Sequence, residues 1–180
     1  EYSGLSVTSA RDSNTITILN QIYSTMSVRV KWISENPPFW LSLYGIPGIG
    51  KSEIVKPLIE RMIKDGIIAS DRSPSDEVIY IPNCSSEYFS GYTGQVCTLF
   101  DDIGAQNDPK NLFFDNIIKM KTVGLTYLNQ ASLNDPATGQ KGDIFVSPII
   151  VSTANTAHQI HIVKVKYATP GAYYRRRDIL

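Results

Sequence analysis

The segment Gly45-Ile46-Pro47-Gly48-Ile49-Gly50-Lys51-Ser52 constrains this chain more than any other. Its outer glycines, separated by four residues and followed by Lys and Ser, are typical of a loop whose backbone N–H groups surround a polyphosphate. Lys51 is expected to contact the β- and γ-phosphates, and the Ser52 hydroxyl is expected to bind Mg²⁺. The sequence therefore predicts a nucleotide site to which the whole segment contributes.

The residues on either side of this segment support the interpretation. Phe39–Tyr44 is an apolar run typical of a buried strand, and apolar residues recur at helical spacing after Ser52. A phosphate-binding loop requires this order of strand, loop and helix, and the start of the helix adds partial positive charge. A glycine turn without a ligand is the less favoured alternative. Pro57 lies in the second turn of the predicted helix, so we expect a bend there.

A pair of carboxylates follows a second buried strand. Val96–Phe100 is apolar, and Asp101 and Asp102 come directly after it. Ligands bind at the carboxyl edge of a parallel sheet, so one acid here can hold Mg²⁺ while its neighbour orients the water that attacks the γ-phosphate. We assign the metal to Asp101 and the water to Asp102, and the reverse assignment stays open. A solvated turn is the alternative reading of the pair.

Two more strands complete the pattern. Val78–Ile81 is a short apolar strand, and Ile149–Val151 is another that leads into Ser152-Thr153-Ala154-Asn155. Asn155 either hydrogen-bonds the γ-phosphate or the attacking water, or caps the following turn. Strands that alternate with helices predict an α/β fold of the P-loop NTPase type, with a central parallel sheet flanked by helices.

Composition excludes several classes of function. The 17 basic and 17 acidic side chains cancel, so net charge does not indicate a nucleic-acid partner, although the C-terminal part is basic. Cys84 and Cys97 lack the spacing of a zinc site or a disulfide framework, and His158 and His161 have no second pair of metal ligands nearby. No apolar run has the length of a membrane span. Because the chain begins at Glu1 rather than Met, we expect it to be a piece of a longer protein.

Three further stretches are expected to pack against the core. Apolar residues at helical spacing within residues 19–33 predict a helix, with a membrane or partner surface as the alternative. The aromatic residues Tyr88, Phe89 and Tyr92 predict packing, with a stacking platform for bases as the minority interpretation. Residues 112–120 predict another helix, and the polar stretch after it predicts an exposed loop.

The run Tyr173-Tyr174-Arg175-Arg176-Arg177 places three guanidinium groups close together. They form either a solvated basic face or a source of positive charge for the transition state of a phosphoryl transfer. The residues alone do not separate these alternatives.

Taken in order, these segments resemble the superfamily 3 helicase domain of picornavirus-like positive-strand RNA viruses, from about Phe39 to the end of the chain. The first segment resembles the family's Walker A motif. The segment before Walker B is matched by Gly91-Tyr92-Thr93-Gly94-Gln95, and Walker B itself by Phe100-Asp101-Asp102-Ile103-Gly104. The B-prime element is matched by Lys141-Gly142-Asp143-Ile144-Phe145-Val146-Ser147, and motif C by Ser152-Thr153-Ala154-Asn155. The arginine-finger run is matched by Arg175-Arg176-Arg177. Ala154 is a departure, because motif C more often reads Ser-Thr-Asn.

The resemblance implies an AAA+ fold and hydrolysis of ATP with Mg²⁺ by a homo-oligomeric ring, usually a hexamer, that works on RNA. It also implies that Lys141 and Gly142 contact RNA and that Arg176, or next Arg175, is the finger. The implied partners are other viral replication proteins, and the implied location is the membrane-associated replication complex in the host cytoplasm, with the membrane contacted by regions outside this chain. We expect residues 1–36 to be an N-terminal helical segment and residues 37–180 to be the ATPase core, truncated at its C-terminal end.

Two other functions stay open. One is an NTP-dependent ATPase that remodels or assembles RNA complexes without unwinding, and the other is a P-loop kinase for a small molecule. No second substrate pocket or lid pattern supports the kinase. Stimulation of hydrolysis by RNA and separation of duplex strands would distinguish a helicase from a remodelling ATPase.

Overall fold

A parallel sheet forms the centre of the computed structural model, which describes residues 35–68, 77–83, 86–104, 112–130, 142–157 and 171–178, together with Thr17, Asn20, Gln21 and Ser24. In chain order the elements are β1 (Phe39–Tyr44), α1 (Lys51–Lys64), β2 (Ile79–Tyr80), β3 (Cys97–Phe100), α2 (Phe113–Met120), β4 (Tyr127–Leu128), β5 (Asp143–Ile144), β6 (Ile149–Ala154) and α3 (Gly171–Tyr174). Four strands pair in parallel in the order β1-β6-β3-β2, and β4 pairs antiparallel with β5. The predicted central parallel sheet is confirmed.

The sheet separates two clusters of apolar side chains. Successive residues of a strand project to opposite faces, so Ile149 and Ile150 of β6 belong to different clusters. Helix α1 covers the Ile149 face through Val55 and Ile59, which are fully buried. Helices α2 and α3 contribute to the other face, where the large buried side chains are mostly aromatic: Trp40, Tyr80, Phe89, Tyr92, Phe100, Phe113, Phe114, Phe145 and Tyr173. Helices on both faces of a parallel sheet give the α/β architecture that the sequence predicts.

Strand β6 continues further than the sequence pattern predicts. The apolar run ends at Val151, but the strand extends through Ala154, and its last three residues pair in register with the end of β1. Ser152 and Thr153 are buried at 2% and 1% exposure, and both hydroxyls are hydrogen-bonded. A polar side chain with a hydrogen-bond partner can be buried in a strand at little cost in free energy. A prediction from hydrophobicity alone therefore places the end of β6 too early.

Helix α1 runs without a break from Lys51 to Lys64 although it contains Pro57. Proline removes one backbone N–H from the helix, and the bend that we expect at this position stays a prediction. Of the aromatic cluster, Phe89 and Tyr92 are buried at 5% and 3% exposure, which confirms the packing interpretation for these two residues, while Tyr88 is 43% exposed.

The antiparallel pair of β4 and β5 depends on a close backbone approach at Gly142. Its φ is 115°, in the region that favours glycine, and a Cβ atom here would lie 1.9 Å from the Leu128 carbonyl oxygen. Any side chain would therefore push β4 away. Gly142 thus has a structural reason to be glycine at the start of β5, independent of any contact with RNA.

A set of buried polar groups, which we call the buried network, joins β3 and the segment before it to the segment before β6. It consists of Tyr92, Gln95, Thr98 and Ser147, all at most 3% exposed. The Ser147 hydroxyl donates to the Gln95 carbonyl oxygen at 2.6 Å and accepts from the Thr98 hydroxyl at 3.1 Å. Because the Ser147 hydroxyl donates its one proton to Gln95, the Tyr92 hydroxyl is the donor in the 3.0 Å contact with Ser147 Oγ. Two of the segments that resemble helicase motifs, residues 91–95 and 141–147, are joined here.

Several predictions fall on residues outside the described ranges. They include the apolar stripe within residues 19–33, both histidines, Cys84 and Lys141. Cys97 is described: it is fully buried, and burial raises the pKa of its thiol to about 12, so it stays protonated and inert. None of the helices in the described ranges is both long and apolar enough to cross a membrane.

Candidate nucleotide-binding site

The loop between β1 and α1 lies at the carboxyl edge of the sheet. Gly48 and Gly50 have φ angles of 81° and 86°, in the left-handed region that glycine adopts without strain. The Gly45 N–H donates to the Ala154 carbonyl oxygen at 3.2 Å, which joins the loop to the end of β6. Ile46 and Ile49 are 71% and 57% exposed, so the loop projects from the surface.

Lys51 folds back across this loop. Its Nζ donates to the carbonyl oxygens of Gly45 at 2.9 Å and Ile46 at 3.1 Å, and to Asn155 Oδ1 at 3.2 Å. An ammonium group has three protons, and these three acceptors use them all. A phosphate would compete for the same protons with a full negative charge in place of neutral oxygens.

Asp101 is held in place by two hydroxyl groups. Its Oδ1 accepts from Ser52 Oγ at 2.7 Å and from Thr153 Oγ1 at 2.6 Å. Ser52 lies in the first turn of α1, Asp101 directly follows β3, and Thr153 lies in β6, so three distant parts of the chain meet at one carboxylate oxygen. The predicted metal ligands Ser52 and Asp101 are therefore in direct contact.

Asp102 has an unusual backbone conformation. Among the described residues it is the one non-glycine residue with positive φ, at 52°. Thr153 stabilises this turn, because its Oγ1 accepts the Asp102 N–H at 2.7 Å and its carbonyl oxygen accepts the Ile103 N–H at 2.8 Å. Positive φ in a residue with a side chain is strained and is often found at functional sites. Here the exposed Asp102 side chain lies next to Asn155, whose amide it contacts.

Asn155 joins the lysine to the second carboxylate. Its Oδ1 accepts from Lys51, and its Nδ2 donates to Asp102 Oδ1 at 3.1 Å. The two partners determine the orientation of the amide, because an ammonium group only donates and an ionised carboxylate only accepts. We call the connected set of Lys51, Ser52, Asp101, Asp102, Thr153 and Asn155 the edge network.

Thr153 is the member of the edge network that sequence reasoning missed. It contacts both acidic residues, yet only Asn155 was singled out from this stretch. Residues two apart in a strand share a face, so the position of Asn155 already indicates that Thr153 projects toward the same side of the sheet. Ser152, on the opposite face, instead accepts the indole N–H of Trp40 at 2.9 Å.

The donor atoms of this site fit a small hard cation. Within the described ranges there is no group of three or more His, Cys, Asp or Glu side chains that could hold a metal by itself. A hydroxyl and one carboxylate, Ser52 and Asp101, are the oxygen ligands with which Mg²⁺ binds beside substrate phosphates and water. The residues present therefore fit a Mg²⁺ ion that shares its ligands with a nucleotide.

The arginine run is held by a different set of contacts. Arg177 Nη1 donates to the Ala157 carbonyl oxygen at 2.7 Å, and the guanidinium lies 4.9 Å from the centre of the Tyr174 ring. Burial lowers the pKa of Arg177, although the neighbouring Tyr173 and Tyr174 act in the opposite direction. Arg175 is exposed and Arg176 is partly exposed. Arg177 is therefore held against other groups of its own chain.

The chain is similar to known viral proteins. The family model described as RNA helicase matches residues 41–156, more than half of the chain. The chain is 35% identical to the RNA1 polyprotein of Cherry rasp leaf virus (isolate Potato/United States) over 147 residues, 81% of this chain and 6% of the relative. It is 28% identical to the RNA1 polyprotein of Tobacco ringspot virus over 159 residues, 87% of this chain and 6% of the relative. It is also 28% identical to the genome polyprotein of Human hepatitis A virus genotype IIA (isolate CF-53) over 129 residues, 72% of this chain and 5% of the relative. The chain thus spans only a small part of the length of these relatives.

Proposed function

This chain belongs to the RNA helicase family, whose members bind a nucleotide and RNA, and we propose that it hydrolyses ATP with Mg²⁺ to move along or unwind viral RNA during genome replication. The single observation that carries the proposal is the edge network. It joins the phosphate-binding lysine, both acidic residues and the polar residue at the end of β6 at one edge of a parallel sheet. Ligands of this class of fold bind at that edge.

Each member of the edge network has a role in this proposal. Lys51 offsets the charge of the β- and γ-phosphates, and the loop of residues 45–50 surrounds them with N–H groups. Ser52 and Asp101 would hold Mg²⁺, which when bound would neutralise charge on the phosphate oxygens. Asp102 orients the attacking water and accepts its proton. Asn155, bonded to both Lys51 and Asp102, hydrogen-bonds the γ-phosphate or that water.

Two measurements test this proposal. One is the rate of ATP hydrolysis with and without single-stranded RNA, and the other is strand separation of an RNA duplex that carries a single-stranded tail. We expect RNA to stimulate hydrolysis and ATP to drive strand separation. RNA-stimulated hydrolysis without strand separation would favour the remodelling or assembly ATPase. Membership in the RNA helicase family argues against the small-molecule kinase.

The finger proposal concerns Arg175 and Arg176. In a head-to-tail ring, one subunit presents its arginines to the nucleotide site of the next, and such a finger is worth roughly 10³- to 10⁵-fold in rate. We propose that the protein forms a ring of six identical subunits in which Arg176 is the first candidate for the finger and Arg175 the second. Arg176 comes first because it belongs to either pair of neighbouring arginines in the run.

Mixing two inactive proteins tests the finger in a form of the protein that assembles into rings. Arg175→Ala/Arg176→Ala subunits retain an intact phosphate-binding loop, and Lys51→Ala subunits retain intact arginines. Mixed rings contain interfaces with both parts intact, so activity should partly return. If the arginine variant is fully active alone, or if the two proteins form mixed rings without recovering hydrolysis, the finger acting between subunits is wrong.

RNA contact is proposed for the B-prime segment. Lys141 precedes β5, and we propose that it follows RNA phosphates from a hairpin in the central channel, together with the Gly142 backbone. Lys141→Ala should weaken RNA binding and reduce the salt dependence of binding by a slope of about 1, with unstimulated hydrolysis nearly unchanged. Lys64→Ala, at the exposed end of α1, is the matched control. Equal RNA affinity of the Lys141→Ala and unaltered proteins across a salt series would make Lys141 an ordinary surface residue.

The wider assignments complete the proposal. Residues 37–180 form the ATPase core and residues 1–36 an N-terminal helical segment, a division supported by Pro37-Pro38 and by the start of β1 at Phe39. The protein acts with other viral replication proteins at membrane-associated complexes in the host cytoplasm, and regions outside this chain contact the membrane. Fractionation of infected cells would test the location.

A further inference from the structure

Asp178, the residue directly after the arginine run, is bonded to strand β1. Its N–H donates to the Trp40 carbonyl oxygen at 3.1 Å, and its Oδ2 accepts the Trp40 N–H at 2.7 Å. β1 ends the described sheet on this side, so the outward N–H and C=O of Trp40 would otherwise lie at an open edge. Asp178 satisfies both groups, and the end of the arginine run is thereby joined to the strand that leads into the phosphate-binding loop.

Lys121 adds a charged contact to this junction. It follows α2, and its Nζ donates both to Asp178 Oδ2 and to the Pro38 carbonyl oxygen. The Lys121 side chain is only 9% exposed, and the Asp178 side chain is 36% exposed. A charge that is largely removed from water needs a partner of opposite sign, so this pair holds Asp178 in place more firmly than an exposed pair would.

Tyr173 anchors the other end of the arginine run. Its ring packs edge-to-face on Trp40 with the ring centres 5.3 Å apart, and it lies 5.3 Å from the ring of Phe114. Tyr173 is 2% exposed, so its position is set by the core. Arg175 and Arg176 therefore lie in a short turn between two residues, Tyr173 and Asp178, that both contact Trp40.

We propose that Lys121 and Asp178 are positioning residues that hold Arg175 and Arg176 in the orientation in which they complete the nucleotide site of a neighbouring subunit. The inference rests on the proposed finger. An arginine side chain is long and flexible, and a displacement of about 1 Å in a catalytic group can reduce the rate 10²-fold. A turn fixed at both ends limits that displacement before the neighbouring site is reached.

Lys121→Met and Asp178→Asn test the proposal in the full-length, ring-forming protein. Lys121→Met leaves no buried charge without a partner, and Asp178→Asn retains an oxygen that can accept the Trp40 N–H. Each should lower kcat about 10- to 100-fold, with KM and binding of a fluorescent ATP analogue unchanged within about twofold. Asp65→Asn, which breaks the exposed pair between Arg61 and Asp65 on α1, is the matched control and should leave kcat unchanged.

Mixing with Lys51→Ala subunits separates positioning of the arginines from general damage. We call the Lys121→Met and Asp178→Asn proteins the clamp variants. A misplaced finger impairs only the site of the neighbouring subunit, so the clamp variants should regain hydrolysis in mixed rings, as is expected of the arginine double variant. If that double variant recovers and the folded clamp variants do not, or if the clamp variants keep full kcat, the positioning role is wrong while the finger stands. If the arginine double variant is itself fully active, the finger fails. Circular dichroism melting identifies a variant that has simply unfolded, and the other variant then carries the test.

Discussion

Two hydrogen-bonded networks of this protein use similar groups in different surroundings. The edge network places Lys51, Asp102 and Asn155 at the surface, where each side chain can exchange its present partner for water or a ligand. The buried network of Tyr92, Gln95, Thr98 and Ser147 is enclosed, and its polar atoms are matched with protein atoms.

The difference shows how burial decides what a polar group does. Removing one member of an enclosed network leaves a donor or acceptor that cannot reach water, which costs about 1–3 kcal/mol for each group. Removing a member of an exposed network costs little stability, because water replaces the lost partner. We therefore expect substitutions in the edge network to change chemistry and substitutions in the buried network to change stability.

Lys51→Ala should have the largest effect, abolishing hydrolysis while leaving the fold intact. In the proposed function the lysine offsets the charge of the phosphates, and it is not part of either core cluster. Phosphate release measures turnover and circular dichroism measures the fold. Lys56→Ala on the same helix is the matched control, because Lys56 is 72% exposed and pairs with Glu60 at the long distance of 3.9 Å. A folded Lys51→Ala protein with near-normal turnover would remove the loop from the mechanism.

Asp102→Asn should preserve ATP binding and slow hydrolysis by about 10²- to 10⁴-fold, the usual contribution of a general base. The new amide can keep an oxygen toward Asn155, so the geometry of the turn is retained while the proton acceptor is lost. Single-turnover hydrolysis and Mg²⁺-ATP binding are the measurements. Loss of Mg²⁺-ATP affinity with little change in the rate of the chemical step would instead reverse the roles of Asp101 and Asp102.

Ser147→Ala should lower the free energy of unfolding by about 3 kcal/mol, because the Gln95 carbonyl, the Thr98 hydroxyl and the Tyr92 hydroxyl lose their partner in a place that water does not reach. For a chain of this length that is a fall in Tm of roughly 6–12 °C. Turnover per folded molecule should stay close to normal. Ser86→Ala, which removes a hydroxyl from an exposed turn, is the control and should change stability by less than about 0.5 kcal/mol. Equal Tm values for the two variants would contradict the comparison.

Thr153→Val should affect both properties, turnover less than Asp102→Asn does and stability less than Ser147→Ala does. It sharpens the comparison because Thr153 belongs to the edge network yet is buried at 1% exposure. The variant keeps the shape of the side chain but leaves the Asp102 N–H without its acceptor and Asp101 without one donor. We expect a loss of about 1–2 kcal/mol in stability together with a reduced kcat. A change in only one of the two properties would show that Thr153 supports either the chemistry or the fold, and not both.

Local patterns in the sequence predict much of the fold, and they predict the site residues that follow a strand or begin a helix. The run Phe39–Tyr44 is β1 in the structure, and the predicted acidic pair follows β3 as expected. The general rule that ligands bind at the carboxyl edge of a parallel sheet then brought Lys51, Asp101 and Asn155 to the same edge. These predictions needed only neighbouring residues and a rule about topology.

The tertiary structure alone decided which of these residues touch. Strand β6 lies between β1 and β3, and only this order places Asn155 between Lys51 and Asp102 and lets Thr153 contact Asp101. The contacts of Asp178 with Trp40 and Lys121 join residues far apart in the chain, and so do those of Ser147 with Tyr92 and Gln95. Periodicity and propensity describe neighbours along the chain. A hydrogen bond between distant residues depends on strand order and register, which local patterns do not contain.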